Sequence, residues 1–191
     1  MKIRFVQEKD IERILEIYSY YIENTTITFE YFTPSYDEFK KRVFKIKEKY
    51  PFLVFENENK VYGYTYASNY YERLAYSWDC ELSIYIDNNF IGKGIGKKLY
   101  QTIIDIIDLQ GYYNVYARIS IPNEKSLNIH KNLGFKVDGI TKNTGFKHNK
   151  WIDIINLSKQ IKEYSYPKNF PISINNININ DLEKILKKYI K

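Results

Sequence analysis

The chain has one cysteine, Cys80, in 191 residues. No internal disulfide is possible, and a reducing compartment, the cytoplasm, is the expected setting. No apolar run approaches the roughly eighteen residues that suggest a membrane span, and Met1-Lys2-Ile3-Arg4 does not open a secretory signal. A membrane partner is therefore not expected. Histidine is scarce as well, with His130 and His148 as the two imidazoles, and no metal site is expected. Lys and Arg outnumber Asp and Glu by 29 to 23, a formal net charge of +6. That surplus is spread along the chain and not gathered into a basic stripe, so nucleic acid is not an expected partner. The run from Lys40 to Lys49 reads as a solvated helix face. Aromatic residues are what the chain has in excess, at 17% with 20 tyrosines, enough to line a cleft as well as a core.

Periodicity gives a coarse layout. A strand is expected over 2–7, a helix over about 9–23, and a second helix over 35–49 opened by the capping box Ser35-x-x-Glu38. Strands near 51–57 and 60–70 flank the polar turn Glu56-Asn57-Glu58-Asn59. There follow a strand over 78–87, a helix over 94–110, a strand over 112–120, a helix over 123–132, and strands near 135–140 and 146–158. From Tyr164 to Asn180 the composition turns to Pro, Asn, Ser and Ile, which reads as an extended tail. A short amphipathic helix from Asp181 to Ile190 closes it. The division expected is a domain over 1–163 and a tail over 164–191.

The segment Ile91-Gly92-Lys93-Gly94-Ile95-Gly96-Lys97-Lys98 lies between an alternating strand pattern and a helix pattern. Glycines let the backbone approach a ligand, and free amides at a helix N-terminus face an anion with the helix dipole behind them. The spacing is not the G-x-G-x-x-G of a dinucleotide fold, and no Gly-Lys-Ser/Thr ends it as in a nucleotide P-loop. Taken alone, the segment is a phosphate cradle or simply a tight strand-to-helix turn.

A second segment, Asn123-Glu124-Lys125-Ser126 through Leu133-Gly134-Phe135, follows at a suitable distance. Together the two resemble the GNAT superfamily of acetyl-CoA-dependent N-acetyltransferases, with Ile91 standing where the family has Arg or Gln. Three further blocks resemble the phosphinothricin and methionine sulfone/sulfoximine acetyltransferase branch: Tyr20 to Phe29, Arg73 to Tyr85, and Gly145 to Asp153. The resemblance spans about 2–160. It implies an α+β fold, a mixed and mostly antiparallel sheet flanked by helices. It also implies direct transfer of an acetyl group from acetyl-CoA to the amine of a small amino acid or analogue, and a homodimer.

Under that resemblance the pyrophosphate lies on the amides of Gly92, Lys93, Gly94, Ile95, Gly96 and Lys97. The pantetheine arm runs beside Ile84, Tyr85 and Ile86 as an added strand, where one backbone N–H polarises the thioester carbonyl. Asn123 matches the family asparagine that contacts the arm. Glu81 is the candidate general base, against the alternative of a solvent-facing or ion-paired strand residue. His130 stands where many members have a tyrosine that protonates the leaving thiolate, and equally suits packing beside Phe135. Phe29, Arg73, Trp78 and His148 are the candidate substrate-binding residues. Arg73 suits a carboxylate or phosphinate, or an ordinary surface position; Phe29 and Trp78 also suit a core. Cys80 has no histidine beside it and reads as a small buried residue. Two alternatives stay open: another acceptor amine, such as a peptide N-terminus or a polyamine, and a CoA-binding module without catalysis.

Overall fold

The structure is a computed structural model and describes residues 1–190. One seven-stranded sheet carries the fold, in the order β1-β2-β3-β4-β5-β7-β6. The strands are β1 (Lys2–Phe5), β2 (Phe52–Asn57), β3 (Lys60–Asn69), β4 (Asp79–Ile86), β5 (Asn114–Ile121), β6 (Lys136–Lys147) and β7 (Lys150–Gln160). The helices are α1 (Ile11–Asn24), α2 (Tyr36–Lys47), α3 (Ile95–Gln110), α4 (Glu124–Asn132) and α5 (Ile179–Lys188). Every pairing is antiparallel except β4 with β5.

Two apolar layers sandwich the sheet. On one face α1 contributes Ile11, Ile14, Ile17, Tyr18, Tyr21 and Ile22 at helical spacing, packed with Phe39 and Val43 of α2. On the other, α3 sets Leu99, Ile103, Ile106 and Ile107 with no exposure against Leu53, Ala67, Leu82 and Val115. Each such side chain contributes about 1.5–3 kcal/mol through burial. The strand β2, covered on both sides, is apolar through Phe52-Leu53-Val54-Phe55.

The segment after β7 belongs to the second layer. Ile174 and Leu182 are buried in the α3 cluster. Gln110 donates to the carbonyls of Lys49 and Ile172, and Lys188 and Tyr189 both reach Asp105. Residues 164–190 thus form a strap across the edge of the α3 layer.

The expected elements are present, with one displaced break. The expected gap between strands over 141–145 is a bulged stretch inside β6, with register shifts at Val137/Gly139 and Thr141/Gly145. Asn143 takes φ +49° there, and its amide donates to Asp153 Oδ1. The hairpin turn falls instead at His148-Asn149, with φ +49° and +57°. Two successive positive φ values suit the tight turn that the strand twist favours, so the gap expected between 140 and 146 is a bulge, and the turn falls inside the strand expected over 146–158.

Candidate active site

In β4 the period-two alternation turns Cys80, Leu82, Ile84 and Ile86 toward the α3 layer, leaving Glu81, Ser83 and Tyr85 on the opposite face. The β4–β5 pairing covers only Asp79↔Asn114, Cys80↔Val115 and Glu81↔Tyr116. Beyond Glu81 the strands part, while β3 holds the other edge of β4 as far as Ile86. A wedge opens between Leu82–Tyr85 and Ala117–Ser120, with Asn123 and Ser126 of the α4 start also lining it.

At the outer end of the wedge stands the glycine turn. Gly92 and Gly94 take φ +85° and +78°, values that side-chain-bearing residues rarely adopt, and Gly94 is the N-cap of α3. Among the described residues, the N–H groups of Gly92 through Lys97 have no partner, as a helix start leaves them. Lys93 and Lys97 are exposed beside them, and Lys93 lies 4.0 Å from the Phe90 ring centre. A compact anion therefore meets unsatisfied amides, the positive end of a helix and lysine charge together.

The inner end opens into a cleft of about 540 Å³ lined by Phe29, Tyr70, Tyr71, Glu81, Arg118 and Asn156, among others. Its wall on the Phe29 side is the loop over 25–33. Tyr31 donates to the Phe146 carbonyl, Lys147 Nζ donates to Thr28 O at 2.8 Å, and the Phe29 ring covers Gly145 so closely that a Cβ there would overlap it. Lys147 is buried, and that burial lowers its pKa. Tyr85 packs edge-on against Tyr18 and Tyr21, and Tyr21 donates to Ile86 O at 2.5 Å. Burial pushes the Tyr21 hydroxyl up to about 12.

Glu81 reaches the point where wedge and cleft meet. Both carboxylate oxygens accept from Arg118: Nε donates to Oε1 at 2.8 Å, and Nη2 to Oε2. The carboxylate side chain is 13% exposed and the guanidinium 53%. The pair raises the Arg118 pKa. The bidentate geometry and the covered carboxylate favour the closed pair, while the exposed guanidinium is open to a competing anion.

His130 lies inside the wedge at 2% exposure. The Ser126 carbonyl can only accept, so Nδ1–H donates to it at 2.7 Å and Nε2 accepts from the Tyr100 hydroxyl at 3.0 Å. Burial lowers the imidazole pKa, and Phe135 and Tyr100 pack edge-on against the ring. The neutral ring is the favoured form, which counts against a proton donor and for the packing alternative. Asn123 caps α4 by accepting from Ser126 N at 3.2 Å, and it lines the wedge.

The other expected residues lie apart. Trp78 Nε1 donates to Asn169 O at 3.1 Å and its ring stacks on Phe170 at 5.0 Å, so it secures the strap and does not line the cleft. Arg73 is exposed at the start of a single 3-10 turn, outside the cleft lining. His148 is exposed in the β6–β7 turn. Cys80 is buried in the core. No group of three or more His, Cys, Asp or Glu that could hold a metal occurs among the described residues.

Residues 3–155 match the family described as the acetyltransferase (GNAT) domain. The chain belongs to the GNAT acetyltransferase family. A phosphinothricin N-acetyltransferase of Streptomyces viridochromogenes is 30% identical over 154 residues, 81% of this chain and 84% of that protein. An L-methionine sulfoximine/L-methionine sulfone acetyltransferase of Salmonella typhimurium is 28% identical, over 87% of this chain and 98% of that protein. Among solved structures, a GNAT phosphinothricin acetyltransferase from Sinorhizobium meliloti in complex with AcCoA superposes with a TM-score of 0.82. It is 32% identical and covers 88% of this chain and 96% of that one. The GNAT fold expected from the resemblance is thus the fold observed.

Sequence reading of this GNAT chain missed Arg118, Tyr100 and the Tyr70–Tyr71 pair. Arg118 has no motif around it; only the parallel register, Glu81 beside Tyr116, puts it two residues along on the same face. In the folded state a neutral His130 is favoured, so the unfolded chain takes up the proton first. Its contribution to stability therefore falls as pH drops below about 6.5 toward the lower folded midpoint. An NMR titration of the imidazole ring is expected to place the His130 midpoint below 6.5; a midpoint above it would restore the proton-donor role.

Proposed function

We infer that this acetyltransferase moves the acetyl group of acetyl-CoA directly onto the α-amino group of a small amino acid or amino-acid analogue, of the phosphinothricin or methionine sulfone type. The observation that carries this reading is Glu81 in the lining shared by the wedge along β4 and the cleft that it opens into. The relatives' names point the same way on substrate class. The donor set fits acetyl-CoA: free amides at Gly92 through Lys97 for the pyrophosphate, and an unpaired β4 edge for an extended amide-bearing arm.

Acetyl-CoA supplies an activated thioester carbon. The chain's own residues do the rest. The open edge of β4 over Ile84 to Ile86 orients the arm and offers a backbone N–H to the charge developing on the acyl oxygen. An α-ammonium cannot attack until it loses a proton, and Glu81, directly or through water, takes it. The nitrogen then forms the C–N bond as the C–S bond breaks, and the sulfur takes up a proton. In balance, an ammonium and a thioester give an amide, a thiol and one proton to solvent. His130 holds Tyr100 and the α4 start in place beside the wedge under this reading.

Pairing of two copies belongs to the same proposal. Phe32, Trp151 and Phe146 are 84%, 64% and 46% exposed beside the loop over 25–33 and the β6–β7 hairpin, an aromatic surface that a second copy would cover. Sedimentation at twice the 23.0 kDa of one chain is the expected result, and a concentration-independent monomer would remove this part.

Thiol release from acetyl-CoA across methionine sulfone, methionine sulfoximine, phosphinothricin, ordinary amino acids, spermidine and a short peptide tests the reading. Turnover confined to amino acids and analogues is expected, with kcat in Glu81→Gln lower by about 10²–10⁴. Preferred turnover of spermidine or peptide, or an undiminished variant, would contradict it.

A further inference from the structure

Resting on that reading of the site, we propose that Arg118 is the carboxylate anchor of the acceptor cleft, and that a zwitterionic amino acid enters by trading places within the Glu81–Arg118 pair. Its carboxylate takes the guanidinium while its ammonium takes the Glu81 carboxylate.

Among the described residues lining the cleft, Glu81 and Arg118 carry the formal charges. The nearby Lys147 ammonium is turned away onto the Thr28 carbonyl, and Arg73 stands outside the lining. An acceptor bearing both charges therefore meets one partner for each. The pair is also unequally covered, 13% for the Glu81 side chain and 53% for Arg118, so an entering molecule meets the cation first. Nε and one Nη2 hydrogen are directed at Glu81, and the remaining guanidinium donors offer a second planar edge for a carboxylate.

The arrangement links recognition to chemistry. Arg118 takes one lone-pair site on each Glu81 oxygen and balances its charge, so a carboxylate that draws off the guanidinium leaves Glu81 the stronger acceptor for an ammonium. A carboxylate arriving on Arg118 replaces Glu81 as the counter-ion, and the Glu81 oxygens turn to the ammonium that the same molecule carries. A polyamine brings no anion and leaves the guanidinium facing its own charges. A peptide N-terminus brings a neutral amide where the carboxylate should be. Both are disfavoured as acceptors on this ground, and a free amino acid is selected.

The test uses methionine sulfone and its carboxamide, titrated calorimetrically into the CoA-loaded protein, beside Arg118→Ala and Arg118→Lys. The wild type is expected to bind the acid about ten- to hundredfold more tightly than the amide. Arg118→Ala should erase that ratio, and Arg118→Lys should restore part of it as a point charge. A ratio retained in Arg118→Ala, equal weakening of acid and amide, or no acid binding by the wild type would overturn the anchor. Thiol release from the same samples separates the two claims. Acid-selective binding without turnover breaks the transfer reading and leaves the anchor standing. Turnover whose acid-to-amide ratio in kcat/KM survives Arg118→Ala breaks the anchor and leaves transfer standing.

Discussion

Three residue pairs of parallel sheet, ending at Glu81↔Tyr116, are the constraint on which the rest of the site depends. Were β4 and β5 to continue together, their facing N–H and C=O groups would satisfy one another and the sheet would close. Because they part, a row of backbone groups is left on two facing edges, and a buried polar group without a partner costs about 1–3 kcal/mol. Such an edge is stable when water or a ligand completes it. An arm that carries its own amides suits the position, and the free amides of Gly92 through Lys97 give its charged end a terminus. The strand ladder thus sets binding, direction and the place where chemistry happens, and Glu81 stands at the last paired residue.

The tyrosines build the frame around that opening. Tyr18, Tyr21, Tyr64 and Tyr85 form a buried aromatic layer between α1 and the sheet, and burial raises the pKa of all four. Two hydroxyls reach out of the layer to fix the cleft. Tyr18 hydrogen-bonds Thr28 and donates to Glu30, while Tyr21 caps the Ile86 carbonyl. The loop over 25–33 is therefore held from below by α1 and from the side by Lys147 and Tyr31. Opposite, the strap after β7 braces α3 through Gln110 and Asp105. Rigid walls let a half-exposed ion pair be the one element at the junction that exchanges partners.

Much of this was legible in the residues. The apolar spacing of α1 and α3, the Ser35/Glu38 box and the glycine turn were local signals. The capping bonds form as expected, with Ser35 N donating to Glu38 Oε2 at 2.9 Å. Phe29 and Glu81 do line one cleft. What stayed hidden was tertiary. Nothing near Trp78 says that its ring will stack on Phe170, 92 residues later by subtraction of the two positions. Nothing near Arg118 names Glu81 as its partner, because a parallel register is set by packing across α3 and not by a turn. In sequence His130 suits a proton donor or a ring packed beside Phe135 equally, and its 2% exposure and two bonds favour the packed ring.

Amide hydrogen exchange with and without CoA tests the role of the wedge most directly. The account predicts that CoA protects the amides of Gly92 through Lys97 together with the open-edge amides between Leu82 and Ile86, leaving those that bond β3 unchanged. Binding of CoA with no change in protection on β4, or with protection confined to the strap, would contradict it.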